Sequence, residues 1–140
     1  MTTVLTFGTF DLVHPGHLDY FRQARQLGDR LIILVARDTT VAYVKGKMPM
    51  HHEKERLARV KEFSHADDVF LGSFTDFYNV LDKVKPDVIA LGYDQTAFVD
   101  KIESELKKRG LQTKIVRCKP FHPDRWKTSK IQQNLGEAAR

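Results

Sequence analysis

Along the chain, short apolar runs alternate with longer segments whose apolar residues recur at helical spacing. The run from Leu31 to Val35 is apolar at every position, which is typical of a parallel strand that is covered on both faces. We predict strands at residues 4–7, 30–36, 68–71, 88–91 and 114–116. Because helical segments separate these strands, the pattern predicts an α/β fold with a doubly wound parallel sheet of about five strands.

The segments between the strands predict the helices. The first helix carries Leu18, Phe21, Ala24 and Leu27 on one face, and we expect it to end at the next glycine. A chain of 140 residues suits one domain, which we expect to span residues 1–140. The other helices are expected at residues 39–44, 53–63, 74–85, 98–109 and 128–135.

Composition and charge narrow the classes of partner. A formal net charge of +5 favours anionic partners such as small phosphates. The chain has no clustered basic helix and no RNA-binding aromatic motif, so we expect no nucleic acid partner. It also has no long apolar run and no leader pattern, which predicts a cytoplasmic protein with no membrane partner. Cys118 is the only cysteine, which excludes an intramolecular disulfide, and no HExxH or CxxC spacing predicts a metal site.

The run from Gly8 to His17, directly after the first strand, carries the most chemical content. In a parallel sheet this turn lies at the carboxyl edge, where α/β folds bind ligands, and the free N–H groups of a helix start attract anions. His14 and His17 are three residues apart, so both imidazoles can face the same way. Pro15 suits a helix start, and Gly16 removes a side chain where a phosphate or a base would approach. The run predicts a phosphate site, although such histidines can also simply cap a helix.

Two parts of this run match a known family. The segment His14-Pro15-Gly16-His17 resembles the HxGH signature of the nucleotidylyltransferases. The preceding Gly8-Thr9-Phe10-Asp11 is similar to the GTFD opening of the cytidylyltransferase-like family, which includes FAD synthases. The resemblance implies a Rossmann-like fold, with His14 and His17 as catalytic residues. It implies nucleotide contacts from Gly8, Thr9, Phe10, Asp11 and Gly16.

A second candidate segment is the polar loop after the second strand. Lys45, Gly46 and Lys47 could form an ordinary solvated loop. The resemblance implies instead that a lysine here lies against the phosphates undergoing transfer, and that an arginine of the next helix supports the site. By spacing from the strand, Lys45 is the catalytic candidate, and Lys47 and Arg56 are supporting residues.

The loop Leu91-Gly92-Tyr93-Asp94-Gln95 follows the fourth strand and lies on the same edge of the predicted sheet. Asp94 could be a helix cap. The resemblance implies instead that Gly92 and Asp94 contact the base and sugar of a nucleotide. The LGxDQ form resembles archaeal-type FAD synthases more than glycerol-3-phosphate cytidylyltransferases, whose loop tends to read GDDW.

The last candidate segment is Lys127-Thr128-Ser129. Thr128 or Ser129 can cap the final helix while the backbone N–H groups and Lys127 face an anion. The resemblance implies that this segment binds the β and γ phosphates. The chain departs here from the RTEGIS-type sequence that cytidylyltransferases usually carry, because only the serine/threonine portion matches. Whether Arg125 replaces the family arginine stays open.

These segments predict a nucleotidyltransferase that uses ATP or CTP, bound with Mg²⁺, and a phosphorylated acceptor. FMN adenylylation to FAD is the first expectation, and CTP-dependent transfer to glycerol 3-phosphate is the alternative. An alternative of another class is a non-catalytic nucleotide sensor, although a pure binder would not require both histidines, the loop lysines and the hydroxyl-bearing cap. The resemblance also implies a homodimer.

Overall fold

The structure, a computed structural model, describes residues 1–96 and 98–120 and is built on a five-stranded parallel sheet. The strand order is β3-β2-β1-β4-β5, and every recorded pair is parallel. The strands are Thr3–Gly8 (β1), Arg30–Val35 (β2), Asp68–Leu71 (β3), Val88–Leu91 (β4) and Lys114–Arg117 (β5). The predicted doubly wound parallel sheet is therefore confirmed.

Helices cover both faces of the sheet. They are Pro15–Arg25 (α1), Asp38–Lys45 (α2), Glu53–Ser64 (α3), Val80–Val84 (α4) and Ile102–Lys108 (α5). Because successive strand side chains point to opposite faces, Val4 packs in one core cluster with α1 and α3, and Leu5 packs in another with α2, α4 and α5. None of the helices within the described ranges is long and apolar enough to cross a lipid bilayer.

The helix predicted at residues 74–85 is much shorter in the structure. A 3₁₀ turn at Phe77–Asn79 leads into α4, and the preceding residues are not helical. The side chain of Ser73 accepts hydrogen bonds from the backbone N–H groups of Thr75 and Asp76, and Asp76 caps the N–H of Tyr78. These local side-chain contacts hold a turn where the apolar spacing predicted a helix.

Two other helix predictions need correction. The helix expected at residues 98–109 begins only at Ile102, because Phe98 has a φ of +68°, which a right-handed helix excludes. In α1 the buried face contains Tyr20, Phe21 and Ala24, whereas Leu18 is exposed. The helix also ends at Arg25, before the glycine expected to end it.

The strand order reverses between β1 and β4. The chain runs outward from β1 through β2 to β3, and then returns to place β4 on the other side of β1. Such a switch point opens a crevice at the carboxyl ends of the strands, which is where open α/β sheets bind ligands. The loops that follow β1 and β4, which carry two of the predicted motifs, border this crevice.

Candidate active site

A cavity of about 580 Å³ opens at the switch point. Gly16 and Arg56 are not part of its lining. The predicted site residues that line it are Gly8, Thr9, Phe10, Asp11, His14, His17, Lys45, Lys47, Gly92 and Asp94. The structure thus brings three separately predicted loops together around one space.

His14 is the N-cap of α1. Its Nδ1 accepts a hydrogen bond from the backbone N–H of Gly16, with 3.0 Å between the two nitrogens. A neutral imidazole that accepts at Nδ1 carries its proton at Nε2, so this cap fixes the tautomer of His14. A Cβ at position 16 would lie 2.8 Å from Cε1 of His14. Gly16 therefore makes room for the capping imidazole, and the nucleotide contact expected of it stays a prediction.

His17 stacks on His14, with ring centroids 4.0 Å apart, and meets the edge of Phe10 at 5.5 Å. Its Nδ1 is buried and has no hydrogen-bond partner among the described residues. Burial lowers the pKa of His17 to about 3, and the nearby positive charge of Lys45 reinforces the shift. His17 is therefore neutral at physiological pH, and it acts there as a hydrogen-bond donor and not as a cation.

Because His17 is buried in its neutral form, the acid stability of the fold depends on this ring. In the unfolded chain a histidine titrates near pH 6.5, so as the pH falls the unfolded chain takes up the proton first. The contribution of His17 to stability is present above about pH 6.5 and is lost between that pH and the lower folded-state pKa. When the pH falls from 7 to 5, the unfolding free energy of the native protein should decrease. We expect the decrease to be smaller by about 1 to 2 kcal/mol in His17→Gln, which lacks the titrating ring. Urea denaturation at both pH values measures this difference, and equal losses in the two proteins would contradict it.

Phe10 and Gly8 shape the turn before the histidines. Phe10 has a φ of +52° and its side chain is buried in the core beneath His17. A Cβ on Gly8 would lie 3.1 Å from the Phe10 ring. The contacts that the resemblance implies for Phe10 would therefore come from its backbone. Thr9 lies beside it with a buried hydroxyl that has no partner among the described residues.

Asp11 fastens the next loop to this turn. Its carboxylate accepts hydrogen bonds from the backbone N–H of Met50 at 2.7 Å and of His51 at 2.8 Å, and it lies 3.2 Å from Nδ1 of His51. Partial burial opposes ionisation, but these hydrogen bonds outweigh it and lower the pKa of Asp11. These contacts show that Asp11 holds the turn after β1 against the loop before α3.

Lys45 is the last residue of α2, and Gly46 ends the helix with a φ of +80°. Partial burial lowers the pKa of Lys45, and the charges of Arg56 and Lys47 reinforce this shift, whereas the charge of Asp11 opposes it. Lys45 and Lys47 both line the cavity. The structure thus places the lysine side chain of Lys45 in the same cavity as the histidine pair, close enough for its charge to act on His17.

Arg56 is completely buried and joins three segments behind the cavity. Its guanidinium donates to the carbonyl of Thr9 at 2.6 Å, to the carbonyl of His51 at 3.0 Å and to the carboxylate of Asp38 at 2.8 Å. These contacts tie the turn after β1, the loop before α3 and the start of α2 into one unit. Arg56 supports the site from behind and does not line the cavity.

The loop after β4 is held by a glutamine. The side chain of Gln95 accepts a hydrogen bond from the N–H of Gly92 at 3.1 Å and donates one to the carbonyl of Phe7 at 2.9 Å. Arg117 of β5 donates to the carbonyls of Gly92 and Gln95. Gln95 lies in the quoted LGxDQ segment, but the sequence analysis assigned it no role.

Comparisons with known proteins agree with this geometry. A protein-family model described as Cytidylyltransferase-like matches residues 5–134 of the chain. This chain belongs to the cytidylyltransferase-like family. The predicted nucleotidyltransferase class is thereby confirmed.

Relatives in the cytidylyltransferase-like family cover most of the chain. The FAD synthase of Methanohalophilus mahii is 47% identical over 122 residues, which are 87% of this chain and 84% of that protein. The FAD synthase of Aciduliprofundum boonei is 43% identical over 121 residues, which are 86% of this chain and 80% of that protein.

Solved structures show the same fold. A lipopolysaccharide core biosynthesis protein from Thermoplasma volcanium superposes with a TM-score of 0.77 at 39% identity and covers 86% of this chain and 98% of its own. A pantoate-beta-alanine ligase from Francisella tularensis shares the fold alone, with a TM-score of 0.60 at 16% identity over 94% of this chain and 67% of its own.

The sequence analysis missed part of the cavity wall of this cytidylyltransferase-like chain. Tyr20 donates its hydroxyl hydrogen bond to the carbonyl of Ala90 and lines the cavity from α1. Most of the missed residues are apolar or lie outside the motifs, so the sequence did not distinguish them from other core or loop residues, whereas Gln95 lies in the quoted LGxDQ segment and was given no role. They are Phe7, Leu12, Tyr20, Val41, Met48, Pro49, Gln95, Thr96 and Phe98.

Four predicted residues of the cytidylyltransferase-like site, Arg125, Lys127, Thr128 and Ser129, lie outside the described residues. Within residues 1–96 and 98–120, no three or more His, Cys, Asp or Glu side chains are grouped so that they could hold a metal ion. The carboxylate of Asp11 lines the cavity, but both of its oxygens accept hydrogen bonds from the loop before α3. The described residues therefore do not fit a protein cage for a divalent cation.

Proposed function

We propose that this protein transfers AMP from ATP to FMN, so that FAD forms and pyrophosphate leaves. The observation that carries the proposal is the meeting of the stacked His14 and His17 rings with Lys45 around one cavity at the switch point. The FAD synthases to which the chain is similar favour ATP and FMN as the two substrates.

The reaction needs positioning and charge stabilisation more than it needs a base. A phosphate oxygen of FMN is already a competent nucleophile at neutral pH. It attacks the α phosphorus of ATP in line, one new P–O bond forms, and the bond to the β-phosphate oxygen breaks as pyrophosphate leaves. The task of the protein is therefore to hold both phosphates and to neutralise the charge that develops between them.

Each donor has a distinct place in this scheme. Neutral His17 donates to the α phosphate and His14 donates through Nε2–H to the bridging or β oxygens. Lys45 faces the charge that develops at the reacting phosphate. Both rings of the histidine pair are held before any ligand binds, His14 by the Gly16 N–H and His17 by stacking, and such preorganised donors need no reorganisation in the transition state.

Other parts of the substrate are assigned to the remaining residues. The backbone of Gly8, Thr9 and Phe10, together with Gly92 and Asp94, holds the nucleoside, and Lys127, Thr128 and Ser129 hold the departing pyrophosphate. Mg²⁺ enters as part of the nucleotide substrate, coordinated by phosphate oxygens, since Mg²⁺ is usually bound through substrate phosphates and few protein ligands.

A turnover assay that crosses two nucleotides with three acceptors tests the proposal. ATP and CTP are each combined with FMN, riboflavin and glycerol 3-phosphate, and the release of pyrophosphate is measured together with the adenylylated product by chromatography. We expect turnover with ATP and FMN alone, and none with riboflavin, because riboflavin lacks the attacking phosphate. Turnover with CTP and glycerol 3-phosphate would contradict the proposal, as would the absence of release with every pair.

A further inference from the structure

The pairing between β1 and β4 is shorter than the strands themselves. The β1–β2 pairing runs the full length of β1, through Gly8 and Val35. The β1–β4 pairing covers only Val4 with Val88 and Leu5 with Ile89, although both strands continue beyond these residues. The two strands therefore separate toward their carboxyl ends, where the cavity opens.

This separation leaves backbone groups on both strands without a ladder partner. The carbonyl of Gly8 accepts from the N–H of Ala36, on the β2 side of the sheet. Because carbonyls of successive residues point to opposite sides of a strand, the carbonyl of Phe7 points toward β4. On the other strand, the carbonyl of Leu91 accepts from the N–H of Cys118 on the β5 side, so the N–H of the next residue, Gly92, points toward β1. The widening gap keeps these two groups from pairing with each other.

The carboxamide of Gln95 fills this gap. Its Nε2 donates to the carbonyl of Phe7 and its Oε1 accepts from the N–H of Gly92, so one side chain satisfies an orphan group on each strand. A carboxamide suits this place because it carries a donor and an acceptor side by side. Arg117 holds the carbonyls of Gly92 and Gln95 from the β5 side, so the loop is fastened from both directions.

We propose that Gln95 is a positioning residue, whose carboxamide sets the width of the β1–β4 crevice and thereby the place of the nucleotide. The inference rests on the proposed function, since it takes the crevice to be the site of the nucleoside triphosphate. Gln95 holds Gly92 and the backbone of Phe7, both in the cavity lining, at a defined separation. Without the carboxamide the loop loses its link to β1, and the nucleotide meets a wider and more variable crevice.

Another glutamine provides a matched control. Gln23 lies in α1 outside the cavity lining. Its carboxamide donates to the carbonyl of Lys119 and accepts from the N–H of the same residue, and both distances are 2.9 Å. It therefore makes the same two kinds of backbone contact over a long sequence separation. Gln23→Met removes such a contact away from the site, whereas Gln95→Met removes it at the crevice.

The test measures nucleotide binding and stability separately. Calorimetry with non-transferable analogues of ATP and of CTP, each without acceptor, gives the nucleotide Kd, flavin fluorescence quenching gives the FMN Kd, and urea denaturation gives the unfolding free energy. We expect Gln95→Met to raise the Kd of the nucleotide about tenfold, the effect of weakening one or two hydrogen bonds between the displaced crevice backbone and the nucleotide, with the FMN Kd unchanged. Gln23→Met should leave both Kd values unchanged, while the two variants lose similar stability.

Two outcomes would overturn the role of Gln95. One is an unchanged nucleotide Kd in Gln95→Met although this variant loses as much stability as Gln23→Met, which would show that the contact is merely structural. The other is an equal weakening of FMN and nucleotide, which would make it a general support of the loop. If the native protein binds the CTP analogue and not the ATP analogue, the proposed function fails, and the effect of Gln95→Met is then read with the CTP analogue.

Discussion

Replacing His17 by alanine lowers kcat of the proposed transfer by about 10²- to 10³-fold while the sheet stays folded. The reason is that the proposed mechanism uses His17 as a preorganised donor, and the structure holds this ring by stacking on His14 at 4.0 Å and keeps it neutral by burial. Such a donor acts on charge that develops in the transition state, so its loss lowers kcat more than it raises KM. Steady-state kinetics with ATP and FMN measures both constants, and far-ultraviolet circular dichroism checks the fold.

His65 offers a control for this substitution. It is exposed at the end of α3 and is not part of the cavity lining, so His65→Ala should keep native turnover. A native rate in His17→Ala would refute the assignment of this residue. So would a fall in rate that merely follows a loss of folded protein.

Replacing Arg56 by methionine destabilises the fold by about 3 to 5 kcal/mol, the usual cost of breaking a buried ion pair from one side. Arg56 is completely buried, and its removal leaves the carboxylate of Asp38 and the carbonyls of Thr9 and His51 without their donor. Urea denaturation at pH 7 measures the loss. Because the same contacts hold the turn after β1, activity should fall even at temperatures where the variant is folded.

A second arginine on the same helix provides a control that distinguishes the effect of removing a buried charge from that of removing an exposed one. Arg59 pairs with Glu55 one turn away on the exposed face of α3, so Arg59→Met should cost at most about 0.5 kcal/mol. Adding Asp38→Asn to Arg56→Met should restore part of the loss, since it removes the buried charge that has lost its guanidinium partner. Similar losses in Arg56→Met and Arg59→Met would show that the buried network contributes little.

The accuracy of the sequence predictions differs between strands and helices. The strands at residues 68–71 and 88–91 have the predicted bounds, because each contains a short continuous apolar run that polar turns delimit. The helices predicted at residues 74–85 and 98–109 are shorter, because Ser73 and Asp76 hold a turn and Phe98 has a positive φ. Apolar spacing reports which side chains are buried, and does not report such local backbone geometry.

Among the candidate site residues, the sequence predicted best those whose contacts lie within one short segment of the chain. His14 caps the helix that begins at Pro15, and the three-residue spacing brings His17 against it, so this pair follows from the order of residues along one helical turn. The sequence did not reveal that Gly16 makes room for the His14 ring, because the direction of that ring depends on the cap.

By itself, the sequence determined the parallel α/β sheet, the histidine pair and the edge of the sheet on which the predicted loops gather. These follow from periodicity and from the rule that loops after parallel strands share one edge. Only the tertiary structure decided that Arg56 is a buried tie behind the cavity and that Gln95 bridges β1 and β4. Both roles depend on distances between segments far apart in the chain, and in the case of Gln95 on where two strands separate, which no local pattern encodes.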